Sequence, residues 1–265
     1  MRIVVCVKAV PSTTEVKMDP KTHTIVRDGK QAVMNPFDAS ALEMALQLRG
    51  HLSTDDDPCE VAVLSMGIPD TVRLLRDAIS RGADRALLLS DRAFAGADTL
   101  ATTYALSCGI ARLGGADLVL CGKMAVDGDT AQIGPELAGA LGAPCVTDVR
   151  EVAEADCDRL RLWHGCDAGT ELVETSLPVV VTVAKEAAQL RMPSIAGVRA
   201  GELADVEVAT AEEVGADTLR IGLAGSPTQV VRSFVPEAQT GCVEITGTAN
   251  EQAAELSALI EGMGL

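Results

Sequence analysis

Four short runs, RIVVCV (2–7), EVAVLSMG (60–67), ALLLS (86–90) and DLVLCG (117–122), are almost wholly apolar, and the last three are each followed within about a dozen residues by a turn and then helical spacing. A strand that is apolar at nearly every position is buried on both faces, as in a parallel sheet covered by helices. The first helix is expected from Asn35-Pro36, with Asp38 or Ser40 near its start and Leu42, Ala45, Leu46 and Leu48 recurring along it. DTVRLLRDAISRGA reads as an amphipathic helix ending at Gly82, a third helix is expected from about Thr99 to Leu113, and a fourth begins within the dozen residues after Gly122. Alternation with short connections over residues 1–142 predicts an α/β class: a mostly parallel sheet, wound by right-handed crossovers, with helices on both faces. Between the first strand and the first helix, VKMD and TIVRDG flank DPKTH and predict a small hairpin.

After Gly142 the rhythm changes. CVTDVREV, RLRLWHG, ELVETSL and VVVTVA follow one another with no helix between them, which predicts an antiparallel extension of the same body. From Lys185 the pattern loosens through PSIAG, GLAGSPTQ and VPEAQTG, and it ends in NEQAAELSALIEGMG, a short amphipathic helix. The expected division is an α/β domain over residues 1–184, then a loop and an extended C-terminal arm over residues 185–265. A long, weakly packed arm points to a partner chain, because unpaired backbone must be satisfied somewhere.

Composition removes several classes of function. The formal charge is −16 and only 2% of the 265 residues are aromatic, so neither the cationic contacts nor the stacking platforms of nucleic-acid binding are present. The eight cysteines contain no CxxC pair, and several lie in apolar runs as small core residues. His164 and Cys166 alone make a poor metal site. No apolar run approaches the roughly eighteen residues of a membrane span, and no basic-then-apolar signal segment opens the chain. The expectation is a cytoplasmic protein with reduced thiols, no metal and no membrane or nucleic-acid partner. There is no GxSxG elbow, and no histidine falls in the loops that follow the strands, so no catalytic residue is assigned. Redox chemistry here would need a cofactor to carry it.

In a parallel α/β sheet ligands sit beyond the carboxyl ends of the strands. Three loops should gather there: VKAVPSTTE, SMGIPD and CGKMAVDGDTAQIGP. The last is the richest. Gly122 and Gly128 allow close approach to the backbone, and free N–H groups at the following helix receive an anion readily. Asp129 and Gln132 have the spacing of a capping box, and Pro135 belongs in a first turn. A capped turn and a nucleotide seat fit the pattern equally well. The loop is not a P-loop, because GKM lacks the hydroxyl residue after GK, and it is not an EF-hand, because the oxygen ligands stop after Asp129. Asn35-Pro36-Phe37-Asp38 alone reads as a helix start, and Glu171 in DAGTELVET as a solvated strand residue.

Three separated segments, IVVCVKAVPSTTEVKMDPKTHTIVRDG, MNPFDASALE and CGKMAVDGDTAQIGPELA, together resemble the beta subunit of electron transfer flavoproteins, in the same order and spacing, over roughly residues 1–200. The resemblance implies a nucleotide-binding fold paired with an alpha subunit that carries FAD. Ordinary members of that family hold a structural AMP in the beta chain and have a DDDCNQ-like loop. The loop DGDTAQIGP is similar to that of electron-bifurcating members, in which the same site holds a second FAD that takes electrons from NADH. By resemblance the nucleotide site is lined by Ala9, by Asn35, Pro36, Phe37 and Asp38, by Met66, and by Gly122, Lys123, Met124, Ala125, Val126, Asp127, Gly128, Asp129, Thr130, Ala131, Gln132 and Ile133. The amides around Gly128 to Gln132 are expected to hold the pyrophosphate, and Glu171 falls where the family has an acidic residue near the interface flavin.

AKEAAQLRMPSIAGVR corresponds to the family's loop for recognising dehydrogenases. The chain departs from the family at His164, where a basic residue is preferred, at Ala168, where glycine is, and after RMPSI, where a lysine-rich segment often follows. These departures bear on the partner dehydrogenase more than on the nucleotide. The implied partners are the alpha subunit, an acyl-CoA dehydrogenase-like flavoenzyme, and ferredoxin or flavodoxin as a second acceptor. Catalysis by the isolated chain is not expected. Two rivals share the fold: a non-bifurcating beta subunit with AMP, and a stand-alone adenine-nucleotide module of the stress-protein type.

Overall fold

In the computed structural model, which describes residues 1–12, 32–54, 56–231 and 244–262, all four apolar runs are strands. β1 (Arg2–Cys6) leads to a small antiparallel pair, β2 (Ala9–Pro11) and β3 (Ala32–Met34), and then to α1 (Pro36–Leu52). The hairpin expected within residues 16–29 lies outside the described residues. β4 (Glu60–Met66), α2 (Val72–Ser80), β5 (Arg85–Leu89), α3 (Thr99–Arg112), β6 (Leu118–Gly122) and α4 (Ile133–Leu141) continue the alternation. There follow β7 (Cys145–Ala155), β8 (Arg159–Cys166), β9 (Gly169–Ser176), β10 (Val179–Val183), α5 (Ile195–Leu203), β11 (Glu207–Ala209) and α6 (Ala249–Gly262).

The main sheet has the order β11-β5-β4-β1-β6-β10-β7-β8-β9. It is parallel from β11 to β7, and antiparallel through β8 and β9. The two-residue period of a strand divides the core. Ile3 and Val5 of β1 face one side, where α1 and α2 cover them with Leu42, Leu46 and Leu75. Val4 and Cys6 face the other, under Ala105 and Ile110 of α3 and Leu137 of α4. Each fully buried leucine or isoleucine here contributes roughly 1.5–3 kcal/mol from water exclusion. Pro36 fits the first position of α1, where its missing N–H costs nothing, and Gly142 stops α4 in the left-handed conformation at φ +64°.

Two expectations need correction. VVVTVA was grouped with the antiparallel extension, but β10 lies inside the parallel part, between β6 and β7 and parallel to both. Its residues Val179 to Val183 are all buried, so the run needs cover on both faces, which the centre of the sheet provides and an extension does not. β7 is shared: its start pairs with β10, and its second half pairs antiparallel with β8. The segment after Lys185 is also less of an arm than its pattern implies. Arg191 grips the buried carboxylate of Glu43 on α1 at 2.8 Å, α5 lies on α2, and β11 extends the sheet beyond β5. Every residue of α6 is exposed.

The approach of α5 to α2 depends on missing side chains. A Cβ at Gly201 would stand 2.6 Å from the Arg76 carbonyl oxygen, and one at Gly197 would meet the Ser80 carbonyl. Gly201→Val is therefore expected to detach α5 at a cost of about 1–3 kcal/mol. Hydrogen exchange should show faster exchange in α5 while the central strands keep their protection.

Candidate functional site

From β1 the chain moves through β4 to β5 on one side, then crosses back to place β6 on the other side of β1. The helices that follow β1 and β6, α1 and α4, cover opposite faces, so the two loops part and leave a crevice at their carboxyl ends. Such a reversal is where open α/β sheets take ligands. A hollow of about 600 Å³ opens at the opposite edge, among Met1, Arg2, Glu60, Asp84 and Asp117. Its charges are already engaged with one another or the backbone: Arg2 with Glu60 at 2.7 Å, Asp117 with the Arg2 N–H at 2.7 Å, and Asp84 with Arg49 at 2.8 Å. It also lies at the amino ends of the strands, away from the reversal.

The crevice is held by the start of α1. Asp38 accepts the N–H of Lys8 beyond β1 at 2.8 Å with one oxygen, and the N–H of Gly122 at the end of β6 at 2.9 Å with the other. Asn35, fully buried, donates to the Met124 carbonyl at 2.9 Å and accepts from the Val126 N–H at 3.3 Å. Lys8 closes the circuit with an ion pair to Asp127 at 2.6 Å. The glycine at 122 serves this contact, because a Cβ there would collide with Phe37 and Asp38.

Beyond Val126 the loop turns outward. Gly128 has open space around it, and the left-handed backbone falls on Asp129 (φ +48°) and Ala131 (φ +53°) instead. The capping box does not form. α4 starts at Ile133 with Gln132 as its cap residue and no side-chain bond, and the Gln132 oxygen accepts from Thr99 of α3 at 3.1 Å. Pro135 does sit in the first turn. As a result the backbone N–H groups from Thr130 to Gly134 have no acceptor among the described residues. Amides exposed in sequence by left-handed residues, at the positive end of a helix, form an anion-binding concavity. Lys8 and Lys123, two cations flanking the loop among the described residues, are paired with Asp127 and with Asp148 (3.2 Å).

Of the residues expected at the site, Asn35 to Asp38 and Gly122 to Ile133 are brought together at the reversal, Ala9 opens β2 beside them, and Met66 ends the neighbouring strand β4. Glu171 is on β9, at the far end of the sheet, 3.6 Å from His164. Sequence reasoning passed over Lys8, which organises the loop with both its N–H and its ammonium. It also passed over Asp148 and Thr182, which only the insertion of β10 brings near Lys123. Among the described residues no cluster of His, Cys, Asp and Glu has metal-site geometry, and no helix is long and apolar enough to cross a membrane.

Burial pushes the Asp38 carboxyl up to about 7, against the opposing pull of the Lys8 N–H, Asn35, the Gly122 N–H and the Lys8 charge. Between its ordinary value of 3.8 and about 7, the folded chain keeps a proton that the unfolded chain has released. This group's contribution to stability is therefore full below the lower value and falls as pH rises to the upper one. Asp38→Asn should remove that slope, seen as flatter unfolding free energy between about pH 4 and about pH 7. It also sets an amide NH₂ against a backbone N–H, at an expected cost of about 1–3 kcal/mol in chemical denaturation.

The model for the electron transfer flavoprotein domain matches residues 22–211. The chain is 43% identical over 258 residues to the caffeyl-CoA reductase-Etf complex subunit CarD of Acetobacterium woodii, covering 97% of this chain and 96% of that one. It is 41% identical to the electron transfer flavoprotein subunit beta of Megasphaera elsdenii, over 91% of this chain and 90% of that protein. It is also 41% identical to the protein FixA of Azorhizobium caulinodans, over 90% and 86% of the two chains. With the reversal crevice and its loop in place, these matches show that the chain belongs to the electron transfer flavoprotein family, as a beta subunit.

Proposed function

We infer that this chain is the beta half of a cytoplasmic electron-transfer heterodimer, and that its reversal crevice binds FAD. One observation carries the reading: the amides of Thr130 to Gly134, which have no acceptor among the described residues, at the start of α4 beside the crevice between β1 and β6. They suit a pyrophosphate. Ala9, Asn35 to Asp38 and Met66, on the β1 and β4 side, suit the adenosine, with Asn35 and Asp38 acting chiefly to fix the loop. The similarity of DGDTAQIGP to the bifurcating type favours FAD over AMP. When bound, FAD there supplies two-electron chemistry with NADH and one-electron transfer onward, to the alpha-subunit flavin and to ferredoxin or flavodoxin. The chain's own part is to bind, orient and desolvate that group.

Residues 1–184 take the nucleotide in this reading, and residues 185–265 face partners. Met192 and Ile195 are 84% and 79% exposed, in the segment that resembles the family's dehydrogenase-recognition loop. An acyl-CoA dehydrogenase-like partner agrees with the relative named for a caffeyl-CoA reductase complex. In this reading Glu171, well exposed on β9, meets the alpha subunit near its flavin.

Denaturing the purified heterodimer and quantifying released nucleotides by chromatography tests the seat. The expected result is two FAD per heterodimer, whereas one FAD with one AMP would assign the crevice a structural nucleotide. Anaerobic addition of NADH should then bleach the flavin absorbance. An unchanged spectrum in a complex that holds two FAD would rule out NADH as the donor.

A further inference from the structure

The amides from Thr130 to Gly134 form a seat only if the first turn of α4 aims them into the crevice, and the turn does not fix that aim by itself. α4 is a nine-residue helix with no side-chain bond at its cap. A helix so short does not hold together in water alone, so its axis is set by what it leans on. From below, Gly134 lets the turn press on the sheet. A Cβ there would collide with the Thr182 side chain and stand 3.3 Å from the Cys121 sulfur. Leu137, fully buried, anchors the same face in the core.

The flank is held by Glu136. One of its carboxylate oxygens accepts from the Thr99 hydroxyl of α3 at 3.0 Å, and the other accepts from Thr103 at 2.9 Å. Thr99 and Thr103 stand four residues apart, on one face of α3, a spacing that lets a single carboxylate bridge them. Hydrogen bonds to an ionised acceptor are the strong ones, and Thr103 is 2% exposed, so its hydroxyl depends on a protein partner. α3 is a firm support at this point. Asp98 caps it by accepting the Ala101 N–H at 3.1 Å, and takes the N–H and hydroxyl of Thr228 at 3.0 and 2.8 Å. The sign of the charge is a second reason for the clasp. A carboxylate in the first turn of α4 suits the helix dipole but opposes an anion bound at the same end. Here both oxygens are engaged with α3.

We propose that Glu136 is a positioning residue of the nucleotide seat. By clasping Thr99 and Thr103 it sets the tilt of α4, and so the aim of the amides from Thr130 to Gly134 at the phosphates. It acts through those amides rather than on the ligand. The proposal rests on the reading of these amides as a phosphate seat, and it holds for FAD and AMP alike.

The test uses the heterodimer freed of its beta-site nucleotide, titrated with AMP, FAD and adenosine. Adenosine differs from AMP only in lacking the phosphate, so the ratio of the two affinities reads the seat alone. Glu136→Leu keeps a good helix former and removes the clasp. Thr99→Val combined with Thr103→Val removes it from the α3 side, and serves if the first variant fails to assemble. In either variant AMP and FAD are expected to bind at least about tenfold more weakly, with adenosine kept within about twofold. Glu136→Gln can still bond both hydroxyls, and is expected to hold AMP to within about threefold of the wild type. AMP affinity unaltered in an assembled clasp variant would overturn the proposal. So would an equal loss for adenosine, which marks general damage, or a Gln variant as weak as the Leu variant. Wild-type protein that binds AMP no more tightly than adenosine would defeat the phosphate seat itself, before any variant is compared. Wild-type protein that takes AMP but not FAD would defeat only the FAD reading, and AMP alone would then decide the role of Glu136.

Discussion

Asp38 reaches across the point where the chain reverses direction in its sheet, and the geometry of the site follows from that reach. Its two oxygens take backbone N–H groups from the ends of β1 and β6, strands that are neighbours in the sheet but diverge into helices on opposite faces. The Lys8–Asp127 ion pair joins the same two loops further out. With it, and with Asn35 holding the loop at Met124 and Val126, the first five residues after β6 are fixed and the next turn is free to point its amides outward. A buried carboxylate bonded to two N–H groups is costly to desolvate and more costly to leave unpaired, which is why the contact acts as a lock rather than a hinge.

The chain carries a formal charge of −16, yet its most distinctive concavity suits an anion. The two facts are compatible because backbone dipoles supply the attraction. Lys8 and Lys123 are held by Asp127 and Asp148, so each behaves as part of the scaffold. Left-handed Asp129 and Ala131 expose the loop's amides, and α4 adds its positive end. Backbone amides can in this way attract an anion without a cationic patch that would also attract nucleic acid.

The parallel half of the fold was legible in the sequence because each strand there is a short apolar run beside a helix of clear period, and both signals are local. β10 has the same local signal as its neighbours, but its place between β6 and β7 is decided by partners tens of residues away, so the spacing of VVVTVA after ELVETSL misled. α5 and β11 were hidden for a related reason: α5 approaches α2 through Gly197 and Gly201, and absent side chains leave no periodic apolar trace. At the site, the resemblance supplied most residues, and physical reading of the turn supplied few. The Asp129–Gln132 spacing matched a capping box, but Gln132 found Thr99 on α3 instead, a contact that depends on how two helices pack. Gly128 reads as the residue that lets a ligand approach the backbone, while the left-handed backbone sits at Asp129 and Ala131, where composition gives no hint.

The claim on which the rest depends is that the free amides at the start of α4 are the pyrophosphate seat. Hydrogen exchange of the heterodimer, with the beta site emptied and then saturated with nucleotide, measures this directly. Strong new protection confined to the amides from Thr130 to Gly134, with the Lys8 and Gly122 amides protected in both states, is the predicted result. Exchange at Thr130 to Gly134 that is unchanged by bound nucleotide would contradict the account.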